Sequence, residues 1–338
     1  MVLLGTFNYT ANSTNEGCSS ANFQYDLFKL VYSIVFVLGL IGNMSALCIL
    51  LLKVKRRGPT QVYIINLAVA DIIFISTLPF KIHYHLKKND WIFGDIMCRI
   101  TGSLFFININ ISIAFMTCIC IDRYIAVVHP FKYINIRKKN YAIIVSLFVW
   151  ALAIGIMVAL TTEGPLHNSF NNQTSCFENF STESWSQRMS VYNILALSFG
   201  FVIPCIIITI CYPLIAKRVS RMKSIRKNKA LKIIYLILAM AFVCFLPYHI
   251  THLLHFLVRL QIISNCAISN VIYKMRRITL ALISFNSCLD PILYYFATAS
   301  PRFSVSYFLP SRKKKIYTIY DRHLTECSFK SRTKNRTE

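Results

Sequence analysis

The sequence predicts an all-α membrane protein, a bundle of seven transmembrane helices with a short amphipathic helix after the seventh span. Of its 338 residues, 55% are hydrophobic and 15% are charged, whereas soluble domains carry about 25% charged residues. The hydrophobic residues gather in long segments, and the lysines and arginines gather in alternate connections between those segments. Composition, segment length and charge placement therefore predict the same fold class.

Seven apolar segments are long enough to cross a bilayer as helices. A transmembrane helix needs about 20 apolar residues, whereas a strand of a membrane barrel needs only about 10. A helix also satisfies its own backbone hydrogen bonds in lipid. The predicted spans are 28–52, 61–86, 97–128, 140–161, 189–216, 230–258 and 270–297.

The basic residues predict the orientation of the chain. With the N-terminus outside, most of the 37 lysines and arginines fall on the cytoplasmic side, as membrane insertion requires. The net charge of +24 is therefore a topology signal and an attraction for anionic membrane lipids, and no nucleic-acid partner is expected. We expect a plasma-membrane protein with an extracellular segment 1–27, a bundle 28–297, and a cytoplasmic helix and basic tail 298–338. Glycosylation sequons lie in the outer segments at Asn8, Asn12, Asn172 and Asn179.

Polar side chains recur inside the predicted spans. An ionisable residue there costs about 2.5–3.5 kcal/mol on insertion, so each one needs a reason. The predicted cluster comprises Asn43, Asp71, Asn108, Ser112, Asn286 and Asp290. Asp71 and Asp290 with their amide and hydroxyl neighbours could hold Na⁺ as a metal site. A proton shared by the two acids and a network of bridging waters are the alternatives, and the sequence does not choose among them.

Short motifs recur in order, one set in each span. They are Gly42-Asn43, "NLAVAD" ending at Asp71, Cys98, "DRY" at 122–124, Trp150, Pro204 with Tyr212, "CFLP" at 244–247 and "DPILY" at 290–294. Together they resemble a rhodopsin-like (class A) G-protein-coupled receptor. The segments "NDWIFGDIMC", "SCFENFSTESW" and "LVRLQIISNC" are similar to those of the purinergic and lysophospholipid receptor cluster.

The resemblance implies two disulfides and a cytoplasmic switch. Cys98 pairs with Cys176 and Cys18 with Cys266 in the family, and all four lie in predicted outer segments, where oxidation is favoured. In the switch, Asp122 restrains Arg123 in the quiet state, and Arg123 meets Tyr212, Tyr294 and the G protein in the active state. The implied switch residues are Asp122, Arg123, Tyr124, Tyr212, Phe245, Pro247, Asp290, Pro291 and Tyr294. Lys227 stands where some receptors carry an acid that locks Arg123, so basal activity is expected.

Basic and aromatic side chains gather at the predicted outer ends of the spans. Converging cations in a partly desolvated cup favour an anion, and arginine can bind a phosphate through two hydrogen bonds. The sequence leaves open which of the adjacent Arg276 and Arg277 faces the cup. The candidate ligand-binding residues are Lys81, Tyr84, Phe105, Tyr248, His249, His252, Arg276 and Arg277.

These patterns favour a signalling receptor that binds an extracellular anion and activates a heterotrimeric G protein. A phosphate head with an acyl tail suits the basic and apolar lining, so a lysophospholipid is the first expectation and a nucleotide the alternative. A proton or ion transporter is a remote alternative, because two carboxyl groups lie at membrane depth. No motif of an intramembrane enzyme is found in the sequence, and no cofactor is expected apart from Na⁺.

Overall fold

Within the described part of the chain, seven long helices follow one another in the order that the sequence predicts. The computed structural model describes residues 22–53, 58–129, 133, 139–161, 167–170, 173–176, 190–221, 235, 238–239 and 241–298. The predicted amphipathic helix after the seventh span lies outside these residues, as do the four sequons at Asn8, Asn12, Asn172 and Asn179.

The first four helices are continuous over most of their length. Helix α1 spans Phe23–Cys48 and continues through a π-helical turn, Ile49–Lys53. Helices α2, α3 and α4 span Pro59–Leu86, Gly94–Val128 and Lys139–Thr161. Pro59 at the start of α2 fits there because the first helical N–H has no intrahelical acceptor. These bounds agree closely with the predicted spans.

The last three helices each contain an irregular turn. Helix α5 comprises Ser190–Leu197 and Ile203–Ser220, joined by a π-helical turn Ser198–Val202. Helix α6 comprises a π-helical turn Ala241–Phe245 and the α-helical segment Leu246–Arg259. Helix α7 comprises Cys266–Ser284 and Asn286–Thr298, with a break at Phe285. Such turns leave backbone groups outside the regular hydrogen-bond pattern and often occur at functional sites.

Length and composition support a membrane bundle. Five stretches of the described helices are long and apolar enough to cross a bilayer, namely Phe23–Leu52, Pro59–Leu86, Gly94–Val128, Lys139–Val158 and Ser198–Ser220. With α6 and α7 they form the predicted seven-helix bundle, which the structure confirms. Helix α3 lies at its centre and packs against α2, α4 and α5.

A small β-hairpin covers the N-terminal end of α3. Strands β1, His167–Phe170, and β2, Gln173–Cys176, pair antiparallel. The predicted disulfide between Cys98 and Cys176 is present. The backbone N–H of Trp91 also donates to the Thr174 carbonyl at 2.8 Å, so the α2–α3 loop holds the hairpin. Cys266 is disulfide-bonded, but its predicted partner Cys18 lies outside the described residues.

Gly42 allows α1 to approach the second half of α7. A Cβ atom at position 42 would lie 2.8 Å from Cγ of Pro291, and this proline ring is rigid. We predict that Gly42→Ala destabilises the bundle by about 1–3 kcal/mol, because the two helices must separate. The apparent melting temperature of the detergent-solubilised protein should therefore fall.

Gly155 provides the matched control for this substitution. A Cβ atom at position 155 on α4 would meet nothing within 4 Å. Gly155→Ala should leave the melting temperature unchanged or raise it slightly, since alanine favours helix more than glycine does. Equal melting temperatures for the two variants would show that the α1–α7 contact does not constrain the fold.

Candidate functional site

The predicted switch lies at the C-terminal end of α3. Arg123 Nη2 donates to Asp122 Oδ2 at 3.0 Å, and it also hydrogen-bonds to the Thr60 hydroxyl of α2. The same Thr60 hydroxyl donates to Asp122, and the Tyr133 hydroxyl donates to Asp122 Oδ1 at 3.2 Å. Arg123 is therefore held by its neighbour and by α2.

Thr60 was not among the predicted switch residues. A threonine in the first turn of a helix usually indicates helix capping, and its partner Asp122 lies 62 residues away in sequence. The hydrogen bond between Thr60 and Asp122 therefore cannot be predicted without knowing that α2 packs against α3. Thr60 is 3% exposed, so water does not compete for its hydroxyl.

Tyr212 of α5 lies buried close to this switch. It is 2% exposed and lies within electrostatic range of Cys120 and Arg123. Tyr124 instead faces His129, with 3.3 Å between the hydroxyl and Nε2. Arg123 thus engages Asp122 and Thr60 in this structure, which is the arrangement expected of a quiet receptor.

The remaining switch residues lie on α6 and α7. Phe245 is 1% exposed and ends the π-helical turn of α6, and the carbonyl of Pro247 accepts a hydrogen bond from Thr251 at 3.0 Å. Pro291 contacts α1 at Gly42. The side chain of Tyr294 and the whole of Lys227 lie outside the described residues, so their predicted roles stay predictions.

The predicted polar cluster comes together at the centre of the bundle. Asp71 Oδ1 accepts from Asn108 Nδ2 at 3.1 Å and from the Ser287 hydroxyl at 2.8 Å. Asn286 Nδ2 donates to Asp290 Oδ2 at 3.0 Å. The two carboxyl groups are both fully buried and interact electrostatically with each other.

Four oxygen atoms of this cluster have no hydrogen-bond partner among the described residues. They are Asp71 Oδ2, Asp290 Oδ1, Asn286 Oδ1 and Ser112 Oγ. Asn43 belongs to the periphery, because its amide donates to the Gly39 and Ser287 carbonyls at 2.9 and 2.7 Å. No group of three or more His, Cys, Asp or Glu side chains suited to a metal occurs in the described ranges. Any cation would therefore depend on hydroxyl and amide oxygens as well as the two carboxylates.

Histidine and aromatic rings line the outer half of α6. His249 stacks on Phe201 of α5, with 4.3 Å between ring centroids. His252 stacks on Tyr248 at 5.6 Å, and its Nε2 lies 2.7 Å from Asn193 Oδ1 of α5. His249 Nε2 and His252 Nδ1 are buried and have no partner in the part of the chain that the structure describes. Polar atoms of this kind are available to a ligand.

Arg276 and Arg277 occupy different surroundings. Arg276 faces α6, with Nη1 3.5 Å from His255 Nε2 and the guanidinium within electrostatic range of Tyr248 and His252. Arg277 lies over the ring of Tyr273 on its own helix and donates to that hydroxyl at 2.7 Å. The structure therefore places Arg276 toward the predicted cup.

The other predicted ligand residues lie deeper or under the hairpin. Phe105 of α3 is 7% exposed and packs edge-on against Phe74. Tyr84 is 2% exposed, and its hydroxyl accepts from the Cys176 backbone N–H at 3.4 Å. Lys81 is half-buried on α2. A ligand role for each of the three stays a prediction.

The described residues form seven long helices, with a disulfide at the N-terminal end of α3 and an acid–arginine pair at its C-terminal end. These features define a seven-transmembrane membrane protein. A sequence profile of the family described as "7 transmembrane receptor (rhodopsin family)" matches residues 42–294. The chain belongs to this family. It is therefore a class A G-protein-coupled receptor and not an enzyme, and the family implies signalling through G proteins.

Individual relatives place the chain more narrowly. It is 37% identical to the lysophosphatidic acid receptor 6 of Gallus gallus over 291 residues, covering 84% of this chain and 94% of the relative. It is 38% identical to the lysophosphatidic acid receptor 4 of Mus musculus over 309 residues, covering 89% and 81%. It is 34% identical to purinoceptor 1 of Meleagris gallopavo over 296 residues, covering 86% and 82%. The predicted similarity to the purinergic and lysophospholipid cluster is confirmed.

Proposed function

We propose that this receptor binds a lysophospholipid with a phosphate head group on its extracellular side and activates a heterotrimeric G protein inside the cell. It would act in the plasma membrane with its N-terminus outside. The observation that carries the proposal is Arg276, whose guanidinium faces a row of histidine and aromatic rings on α6. A cation in such a partly desolvated place is suited to a phosphate.

Aromatic rings on α3 and α5 support a ligand with a hydrocarbon tail. Phe105 and the partly buried Phe106 lie on α3 and contact each other edge-on, and Phe201 lies on α5. An acyl chain against these rings would gain about 25 cal/mol for each Å² of apolar surface removed from water. A phosphate with an acyl chain therefore uses both parts of the site.

A nucleotide is the second candidate ligand, because one relative is named a purinoceptor. The aromatic rings of the site could stack on a base as readily as they contact an acyl chain. Two relatives named as lysophosphatidic acid receptors cover similar shares of the chain at higher identity, which favours the lipid.

Competition binding separates these two ligands. Membranes from cells that express the receptor would be incubated with radiolabelled 1-oleoyl lysophosphatidate and increasing unlabelled lipid or adenosine diphosphate. We expect saturable binding that the lipid displaces and the nucleotide does not. If labelled adenosine diphosphate binds saturably and the labelled lipid does not bind, the nucleotide and not the lipid is the ligand.

We further propose that the central polar cluster holds Na⁺ in the quiet state. The four oxygen atoms without partners around Asp71 and Asp290 suit a hard monovalent cation. Helix α7 breaks at Phe285, next to the cluster residues Asn286 and Ser287, so an ion there would restrain a flexible point of this helix. The competing interpretations are a shared proton and bridging waters.

Asp71→Asn tests the sodium proposal. Replacing a Na⁺-free buffer with one containing Na⁺ should weaken agonist binding to the unmodified receptor, because the ion favours the quiet state. Asp71→Asn should abolish this dependence because it removes one of the two carboxylates. Ser146→Ala is the control, since it removes a buried hydroxyl on α4 that bonds only to the Ala142 carbonyl of its own helix in the described structure. A full sodium effect in the Asp71 variant would contradict the site.

A further inference from the structure

Asn193 of α5 determines how His252 is presented to the ligand site. Asn193 is 5% exposed, and its Oδ1 lies 2.7 Å from His252 Nε2. A carbonyl oxygen of an amide only accepts hydrogen bonds, so Nε2 must carry the proton. In a neutral imidazole the other nitrogen, Nδ1, is then a bare acceptor.

The acceptor at Nδ1 of His252 is buried and has no partner among the described residues. The ring cannot easily turn away from this position, because one face stacks on Tyr248 with an interplanar angle of 16° and Nε2 is held by Asn193. A buried acceptor without a donor is costly. The site is therefore suited to a ligand that brings a hydrogen-bond donor to this place.

The surroundings of His252 define that donor chemically. Arg276 lies within electrostatic range of the same ring and offers its own buried Nε without a partner in the described structure. A guanidinium beside a bare acceptor complements an anionic group next to a hydroxyl. A phosphate without such a hydroxyl would satisfy Arg276 and leave His252 Nδ1 unpaired.

We propose that His252, positioned by Asn193, accepts a hydrogen bond from a free hydroxyl adjacent to the phosphate of the ligand. The proposal rests on the proposed lysophospholipid function and extends it to one chemical group, the glycerol hydroxyl. Neither the sequence motifs nor the family assignment gave Asn193 a role. Asn193 is a positioning residue, and the atom that meets the ligand is His252 Nδ1.

Two ligands that differ in this hydroxyl provide the test. One is 1-oleoyl lysophosphatidate, and the other is 1-oleoyl propanediol phosphate, which has the same charge and acyl chain without the hydroxyl. For each receptor variant the ratio of the two half-maximal concentrations in guanine-nucleotide exchange is measured at matched surface expression. A change in folding or in G-protein coupling affects both concentrations equally and leaves their ratio unchanged. A change in the ratio therefore reports recognition of the hydroxyl.

The unmodified receptor should prefer the hydroxyl-bearing lipid about 2–10-fold, the range for one neutral hydrogen bond. His252→Phe keeps a flat ring but removes the acceptor, so the ratio should fall to about 1. Asn193→Leu should lower the preference because Nε2 is no longer held. Arg276→Gln is the control, since it should weaken both lipids and leave their ratio unchanged.

The outcomes separate this inference from the function on which it rests. An unmodified receptor that responds to both lipids equally, or a His252→Phe variant that keeps the preference, overturns the inference alone. If His252→Phe does not reach the cell surface, an unchanged ratio in Asn193→Leu overturns it. A receptor that responds to neither lipid contradicts the lysophospholipid function and the inference with it.

Discussion

Arg276→Gln should raise the lysophosphatidate concentration needed for half-maximal exchange by about 10–150-fold, the loss of about 1.5–3 kcal/mol for a hydrogen bond to a charged group. Arg276 is the arginine of α7 that faces α6, with Nη1 3.5 Å from His255 Nε2. Glutamine keeps a polar side chain of moderate length but cannot supply a positive charge. The measurement is a concentration–response curve for guanine-nucleotide exchange in membranes.

Lys274 of the same helix is the control for this prediction. It is exposed in the structure and carries the same charge, so Lys274→Gln changes the net charge equally without removing a group from the cup. It should shift the curve by less than about threefold, since exposed charges contribute little. Equal shifts for the two variants would mean that Arg276 acts only through the general charge of the outer surface.

Asp122→Asn should raise ligand-free exchange about tenfold or more. The Asp122 carboxylate binds Arg123 at 3.0 Å and is 8% exposed, so its loss removes a charge-assisted hydrogen bond of about 1.5–3 kcal/mol from the quiet state. When the active state is a minor population, that free energy appears directly as an increase in that population. Thr60→Val should also raise ligand-free exchange, but by a smaller factor, because it removes a neutral hydroxyl.

Thr117→Val provides the matched control on α3. The Thr117 hydroxyl is buried and donates to the Ile113 carbonyl of its own helix at 2.7 Å, so its loss does not touch Arg123. Its ligand-free exchange, normalised to receptor number, should equal that of the unmodified receptor. Wild-type exchange in a well-expressed Asp122→Asn variant would show that Asp122 does not restrain Arg123.

Much of the fold could be predicted because the length and hydrophobicity of each segment determine whether it spans the bilayer. The predicted span 61–86 became Pro59–Leu86, and 97–128 became Gly94–Val128. The irregular turns were not predicted. In the π-helical turn Ser198–Val202, Gly200 packs closely against Asn110 of α3, a contact between helices. The hydrophobic pattern of α5 alone does not predict this contact with α3.

The candidate site, like the fold, could be predicted from the sequence only in part. Buried charges such as Asp71 and Asp290 stand out in the sequence because membrane insertion makes them costly. Their partner Ser287 does not, since a serine is common in membrane helices and its bond to Asp71 spans 216 residues. Thr60 and Asn193 were missed for the same reason. The choice between Arg276 and Arg277 required the rotation of α7, which adjacent residues in a sequence do not specify.

We propose that lysophosphatidate binds at the outer ends of α6 and α7 and activates a G protein at the inner end of α3. The most direct test of this proposal is guanine-nucleotide exchange in membranes that contain the receptor and one class of G protein at a time. We expect 1-oleoyl lysophosphatidate to stimulate exchange with at least one class, and Arg276→Gln to shift this response to higher concentrations. Absence of lipid-stimulated exchange with every class, from a receptor shown to be at the cell surface, would contradict it.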